Sequence, residues 1–259
     1  AEVSAFYQAR GRVDELIALL ESGIGLERAH AGLFTELGVL YARHRPARLE
    51  EHLKLFAARL NVPALIRVCE ELELWRELVF LYRAYDEHDN ALAVMVAHAP
   101  AAWDHAAFKD CAAKAKSADA LYRGVAFYLE AHPDLLTDLL KVAEARLDHG
   151  RVVEVARRAG QLPLLREYLL AVQKNNLAPV NDAVNELLVE EGDAEALRES
   201  TAAFDNFDAL ALAARLERHE ATEFRRVAAL LYKRNLKWRK AVALAKADGL
   251  HADAMETAA

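Results

Sequence analysis

The chain has 259 residues, 54 % of them hydrophobic, with only 10 Gly and 6 Pro. That leaves too little turn chemistry for a many-stranded fold and points to an all-α protein. A net charge of −7, two cysteines with no second ligand at metal spacing, and no apolar run near the roughly 18 residues of a membrane span exclude a disulfide framework, a zinc knuckle and a membrane helix.

In chain order, apolar residues recur at spacings of three and four. Examples are Leu33, Phe34, Leu37, Leu40 and Tyr41, then Trp75, Leu78, Val79 and Tyr82, then Leu135, Leu136, Leu139 and Leu140. Breakers separate these runs: Gly23 and Gly25, Arg45-Pro46, Asn61-Val-Pro63, Asp86 to Asn90, His98-Ala-Pro100, His132-Pro133, Asp148-His-Gly150, Gly160 to Pro163, Asn175-Asn176, Glu191-Gly-Asp193, Asp205 to Asp208, and Asp248-Gly249. Pro46, Pro63 and Pro133 fit first helical positions, where no N–H is needed. In the 86–90 turn, Asp89 or Asn90 is expected to cap the following helix. The spacing predicts about seventeen short helices paired into hairpins of about 30 residues, too small to bury an apolar face alone and therefore stacked on their neighbours. The expected fold is a right-handed α-solenoid of antiparallel hairpins.

Two hairpins are versions of one another. Leu78-Val-Phe-Leu-Tyr-Arg83 followed by Ala91-Leu-Ala-Val94 recurs 150 positions later as Ala228-Ala-Leu-Leu-Tyr-Lys233 followed by Ala241-Val-Ala-Leu244. In each copy a Tyr precedes a base, and a small Ala follows nine positions on. Gly11 and Gly160 open a weaker echo at nearly the same offset. Leu78, Tyr82, Ala91, Leu231, Tyr232 and Ala241 are the expected inter-helix seam, with the Ala permitting close approach. The period is near 150, with no 34-residue tetratricopeptide pattern.

Catalytic readings fail on spacing. His219-Glu-Ala-Thr-Glu223 has Glu where a zincin needs its second His, and Asp86 to Asn90 lacks the Gly and Glu of a calcium loop. No phosphate loop or nucleophile elbow occurs, so the chain is not expected to be an enzyme or to hold a cofactor or metal. Cys69 and Cys111 read as buried thiols suited to a reducing cytosol, the ten histidines mostly as surface or cap residues, and Trp75 as core.

Residues 223–246 carry eight bases against Glu223 alone, a local +7 in a chain whose remainder is −14. This is either a docking surface for an acidic partner or a solvated helix face. Trp238, framed by Lys237, Arg239 and Lys240, stands where the first copy has His88. Single-stranded nucleic acid is an alternative ligand, disfavoured because the basic cluster does not recur and the rest of the chain would repel phosphate.

Longer strings carry a family resemblance: Gly25-Leu-Glu-Arg-Ala-His30, Phe34-Thr-Glu-Leu37, Glu51-His52-Leu53, Leu74-Trp-Arg-Glu-Leu-Val-Phe-Leu-Tyr82, Asp89-Asn-Ala91, Phe108-Lys-Asp110, Arg146-Leu-Asp-His149, Gln161-Leu-Pro-Leu164, Asp205-Asn-Phe-Asp208 and Glu223-Phe-Arg-Arg226. Their wording and order closely resemble the clathrin heavy chain family over essentially the whole sequence. Ala-rich stretches such as Ala209 to Ala214 depart from the expected surface. The resemblance implies the end of one clathrin repeat at 1–25, a full repeat at 26–170 and part of the next at 171–259, in one continuous rod. It implies a proximal-leg segment that packs against other legs and binds clathrin light chain, on the cytoplasmic face of coated vesicles and pits, with membranes reached only through adaptors. The absence of an initiating Met, and Val3, Phe6 and Tyr7 resembling half a helix, suggest a piece of a longer protein. Without propeller or trimerisation segments, the piece is expected to be monomeric. On the resemblance, a light chain would lie as an acidic helix across hairpins, and local charge selects Arg225, Arg226, Lys233, Lys237, Trp238 and Lys240 as its contacts.

Overall fold

The structure, a computed structural model, describes residues 2–26 and 29–258; Glu27 and Arg28 of the Gly25 to His30 string lie outside the described residues. Contacts divide the chain into two compact units, Ala1–Gly124 and Val125–Ala259. The first contains α1 (Glu2–Ala9), α2 (Val13–Ile24), α3 (Ala31–His44), α4 (Leu49–Phe56), α5 (Val62–Glu71), α6 (Trp75–Ala84), α7 (His88–Ala97), α8 (Ala99–Ala102) and α9 (His105–Lys114). The division falls within α10 (Ala118–Ala131). The second contains α11 (Leu136–Ala143), α12 (His149–Arg158), α13 (Arg166–Val172), α14 (Ala178–Glu191), α15 (Ala194–Ala203), α16 (Ala209–Leu216), α17 (Thr222–Arg234), α18 (Trp238–Ala247) and α19 (His251–Ala258). No strand occurs among the described residues.

Among the described residues seven links share one closure. At Gly11, Glu73, Asp86, Gly160, Gly192, Leu236 and Gly249 the backbone turns left-handed, with φ between 56° and 76°. In each, that residue's N–H returns to the carbonyl three back, and the next N–H reaches five back, as in Gly160 to Arg157 and Gln161 to Ala156. This Schellman arrangement satisfies carbonyls that the helix end would leave orphaned. It ends one helix and launches the next within two or three residues. Glycine adopts it without a Cβ penalty, and at Gly11, Gly160, Gly192 and Gly249 a Cβ would meet nothing within 4 Å.

Helix starts recur at Pro46, Trp75, His105, Pro133 and Leu162, a step of 28 to 30 residues. Polar contacts follow the same step, joining residues 26 to 31 apart. Arg45 meets Asp14 at 2.6 Å, Arg48 meets Glu21 at 2.6 Å, and Arg83 meets Asp110 at 3.0 Å. In the second unit Arg157 meets Glu186 at 2.6 Å and Gln173 donates to Ser200 at 2.9 Å. Each fixes the register of a hairpin on the next. The stacking energy itself is apolar: Leu16, Ile17, Leu37, Leu49, Leu53 and Leu65 are wholly buried in one cluster. Each such side chain contributes roughly 1.5–3 kcal/mol.

Several local expectations are corrected. There are nineteen α-helices among the described residues, where about seventeen were expected; the break at His98-Ala-Pro100 was expected, but the one at Glu73, between α5 and α6, falls where no breaker was read. Neither Asp89 nor Asn90 caps α7, because that helix already begins at His88. The Asp89 carboxylate instead accepts from the N–H groups of Lys116 (3.0 Å) and Ser117 (3.1 Å), at the start of α10. A carboxylate there favours the positive helix end. Among the histidines, expected mostly at the surface or at caps, His52 and His88 are the buried exceptions among the described residues. Trp75, by contrast, does pack against the apolar cluster as expected, half-buried and stacked on His98 with ring centres 3.6 Å apart.

Candidate docking surface

The 150-residue duplication is visible in the backbone. The left-handed residues Asp86 and Leu236 and the helix starts His88 and Trp238 occupy corresponding positions. Leu78, Ala91, Leu231, Tyr232 and Ala241 are at most 2 % exposed, and Tyr82 is half-buried. The two tyrosines also behave alike. Tyr82 Oη donates to Glu70 at 2.7 Å, and Tyr232 Oη donates to Glu217 at 2.6 Å. Burial, then the acceptor carboxylate, pushes each phenol up to about 12.

The scaffold is shared; the turn is not. His88 is 7 % exposed, with its Nε2 3.6 Å from Asp86 Oδ1. Its counterpart Trp238 opens α18 and is 45 % exposed. Leu236, the counterpart of exposed Asp86, is 70 % exposed. The second copy thus presents two apolar side chains where the first presents a carboxylate over a buried imidazole.

The cations around that turn differ in what they do. Arg225 is held by the chain itself: its guanidinium lies 2.7 Å from Asp248 and donates to the carbonyls of His219 and Glu220, both at 2.6 Å. Hydrogen bonding to Asp248 raises its pKa further. Arg226 pairs with Asp253 at 3.0 Å, and Arg234 donates to the Thr201 carbonyl at 2.8 Å. Lys233 is half-buried in the last turn of α17. Lys240 places its ammonium 4.9 Å from the centre of the Tyr232 ring. Lys237 and Arg239 are exposed and have no carboxylate partner among the described residues. The structure therefore brings Lys237, Trp238 and Lys240 together at the start of α18, while Arg225 and Arg226 reach back to carboxylates of the following links.

Reading charge only to residue 246 missed Asp248 and Asp253; counted through 253, the eight cations face three carboxylates and the excess falls to +5. Leu236 and Arg239 were missed as candidates. Leu236 carries no turn signal, although aligning it with Asp86 at the 150-residue offset points to it.

Cys69 and Cys111 are buried, and desolvation pushes their thiols up to about 12 and about 11, which makes them poor nucleophiles. Among the described residues no three His, Cys, Asp or Glu side chains are arranged to hold a metal ion, and no helix is long and apolar enough to cross a membrane.

Short helices closed by tight turns and registered every 26 to 31 residues define an all-α helical-repeat protein. The chain belongs to the clathrin repeat family: the family described as Region in Clathrin and VPS matches residues 1–136 and 140–259. It is 56 % identical over 256 residues to clathrin heavy chain 1 of Oryza sativa subsp. japonica, covering 99 % of this chain and 15 % of that protein. It is 53 % identical over 257 residues to clathrin heavy chain 1 of Arabidopsis thaliana, with 99 % and 15 % covered. It is 50 % identical over 254 residues to the clathrin heavy chain of Drosophila melanogaster, with 98 % and 15 % covered. The chain thus spans about 15 % of the length of these relatives.

Proposed function

We propose that the chain is a structural segment of a clathrin coat, acting in vesicle-mediated transport and endocytosis as a proximal-leg rod and not as an enzyme. The observation that carries this is the 56 % identity over 256 residues, 99 % of this chain, to a clathrin heavy chain. In this reading residues 1–25 end one clathrin repeat, 26–170 form the next and 171–259 begin a third. The rod packs laterally against other heavy chain legs and carries clathrin light chain. It works in the cytoplasm, on coated vesicles and pits, and meets membranes only through adaptors.

The light chain lies as an acidic amphipathic helix on the turn between α17 and α18, with Lys237, Trp238 and Lys240 in contact and Lys233 on the flank. Arg225 and Arg226 support that surface by fixing the following links. Their pairing with Asp248 and Asp253 also removes two cations from any phosphate-reading alternative. A pull-down with clathrin light chain tests the reading. The parent chain should retain the light chain, and Trp238→Ala and Lys237→Glu should each lose most of it. Equal retention by all three would remove the turn from the function, and tight retention of single-stranded RNA instead would favour the nucleic-acid alternative.

A further inference from the structure

We propose that Leu236 is the apolar anchor of the docking surface, held outward by a strained backbone so that it enters a partner helix of acidic amphipathic character; this rests on the light chain reading above. The turn at Leu236 asks for a residue without a Cβ. Four of the seven equivalent closures use Gly, and Asp86 is of the type that tolerates φ near +60°. Leucine at φ +58° carries a steric cost that neither Gly nor Asp would impose.

Among the described residues little packing offsets that cost. The side chain is 70 % exposed. Strained residues persist where function gives a reason for them. Half-exposed Trp238 lies two residues on, and the unpaired cations Lys237 and Arg239 flank it. An apolar centre with a cationic rim is complementary to a helix carrying one apolar stripe edged by carboxylates. Buried His88 and the exposed carboxylate of Asp86 give the first copy no such centre, so the partner is directed to the second copy alone.

Fluorescence anisotropy with labelled clathrin light chain, at low and high salt, separates the possibilities. Leu236→Gly removes the anchor and relieves the backbone, while Leu236→Met keeps an apolar side chain in the same conformation. The expected result is at least tenfold weaker binding by the Gly variant at both salt concentrations, near-parental binding by the Met variant, and unchanged helicity in both. Parental affinity in Leu236→Gly would overturn the anchor and leave the light chain reading standing. Absence of binding by the parent chain would overturn that reading, and the partner assigned to Leu236 with it.

Discussion

Burial at His52 gives the chain a pH dependence of known sign. Its ring is 4 % exposed, its Nε2 donates to the Phe34 carbonyl at 2.8 Å, and desolvation lowers its pKa below 6.5. A depressed imidazole favours the neutral form in the fold, so the stability it contributes is full above 6.5 and is lost as pH falls from there through the folded value. Thermal melts between pH 7.5 and 5 should show the parent losing more stability than His52→Gln; parallel curves would contradict the assignment. The seam alanines are a second test at this scale. Ala91 and Ala241 are 0 % and 1 % exposed, so Leu at either should overpack its hairpin by about 1–3 kcal/mol, and an unchanged melting temperature would refute the seam. Leu236→Gly should behave in the opposite way. Relief of about 1–2 kcal/mol of left-handed strain outweighs about 0.5–1 kcal/mol of added unfolded-state entropy, so denaturant melts should show equal or greater stability. A clear loss would mean that Leu236 packs after all.

At the scale of elements, close approach decides where substitutions hurt. A Cβ on Gly124 would sit 2.9 Å from Phe108 Cζ, and Phe108 is 1 % exposed. Gly124→Ala should therefore cost about 1–3 kcal/mol even though alanine favours helices by about 1 kcal/mol; a stabilised variant would show that Phe108 yields. The hairpins were legible in the sequence because apolar spacing and the Tyr-to-Ala offset are local signals, and α7 and α18 do begin 150 residues apart. The left-handed closures were legible where Gly marked them and illegible at Glu73 and Leu236, whose side chains announce no turn. The caps at Asp104, Asp148, Asp193 and Asp208 are Asx signals that the sequence shows plainly. Asp89 looked like another and was not, because its acceptor role is toward N–H groups 27 and 28 residues away.

At the scale of the molecule, the contacts that register one hairpin on the next are the least legible part of the design. Pairs such as Arg157 with Glu186 or Asn176 with Asp205 lie 29 residues apart, and no local pattern marks them. The same holds for the docking surface. Charge counting found the basic run, but only the folded positions of Asp248 and Asp253 separated its structural cations from its exposed ones. The continuous rod we propose is tested most directly by small-angle X-ray scattering of the chain in solution. A step of about 29 residues over 259 residues gives about nine hairpins. At helix spacings of about 8–10 Å these stack to roughly 80 Å, with a radius of gyration of about 25 Å. A value near 18 Å, which a compact domain of this length would give, would contradict the rod.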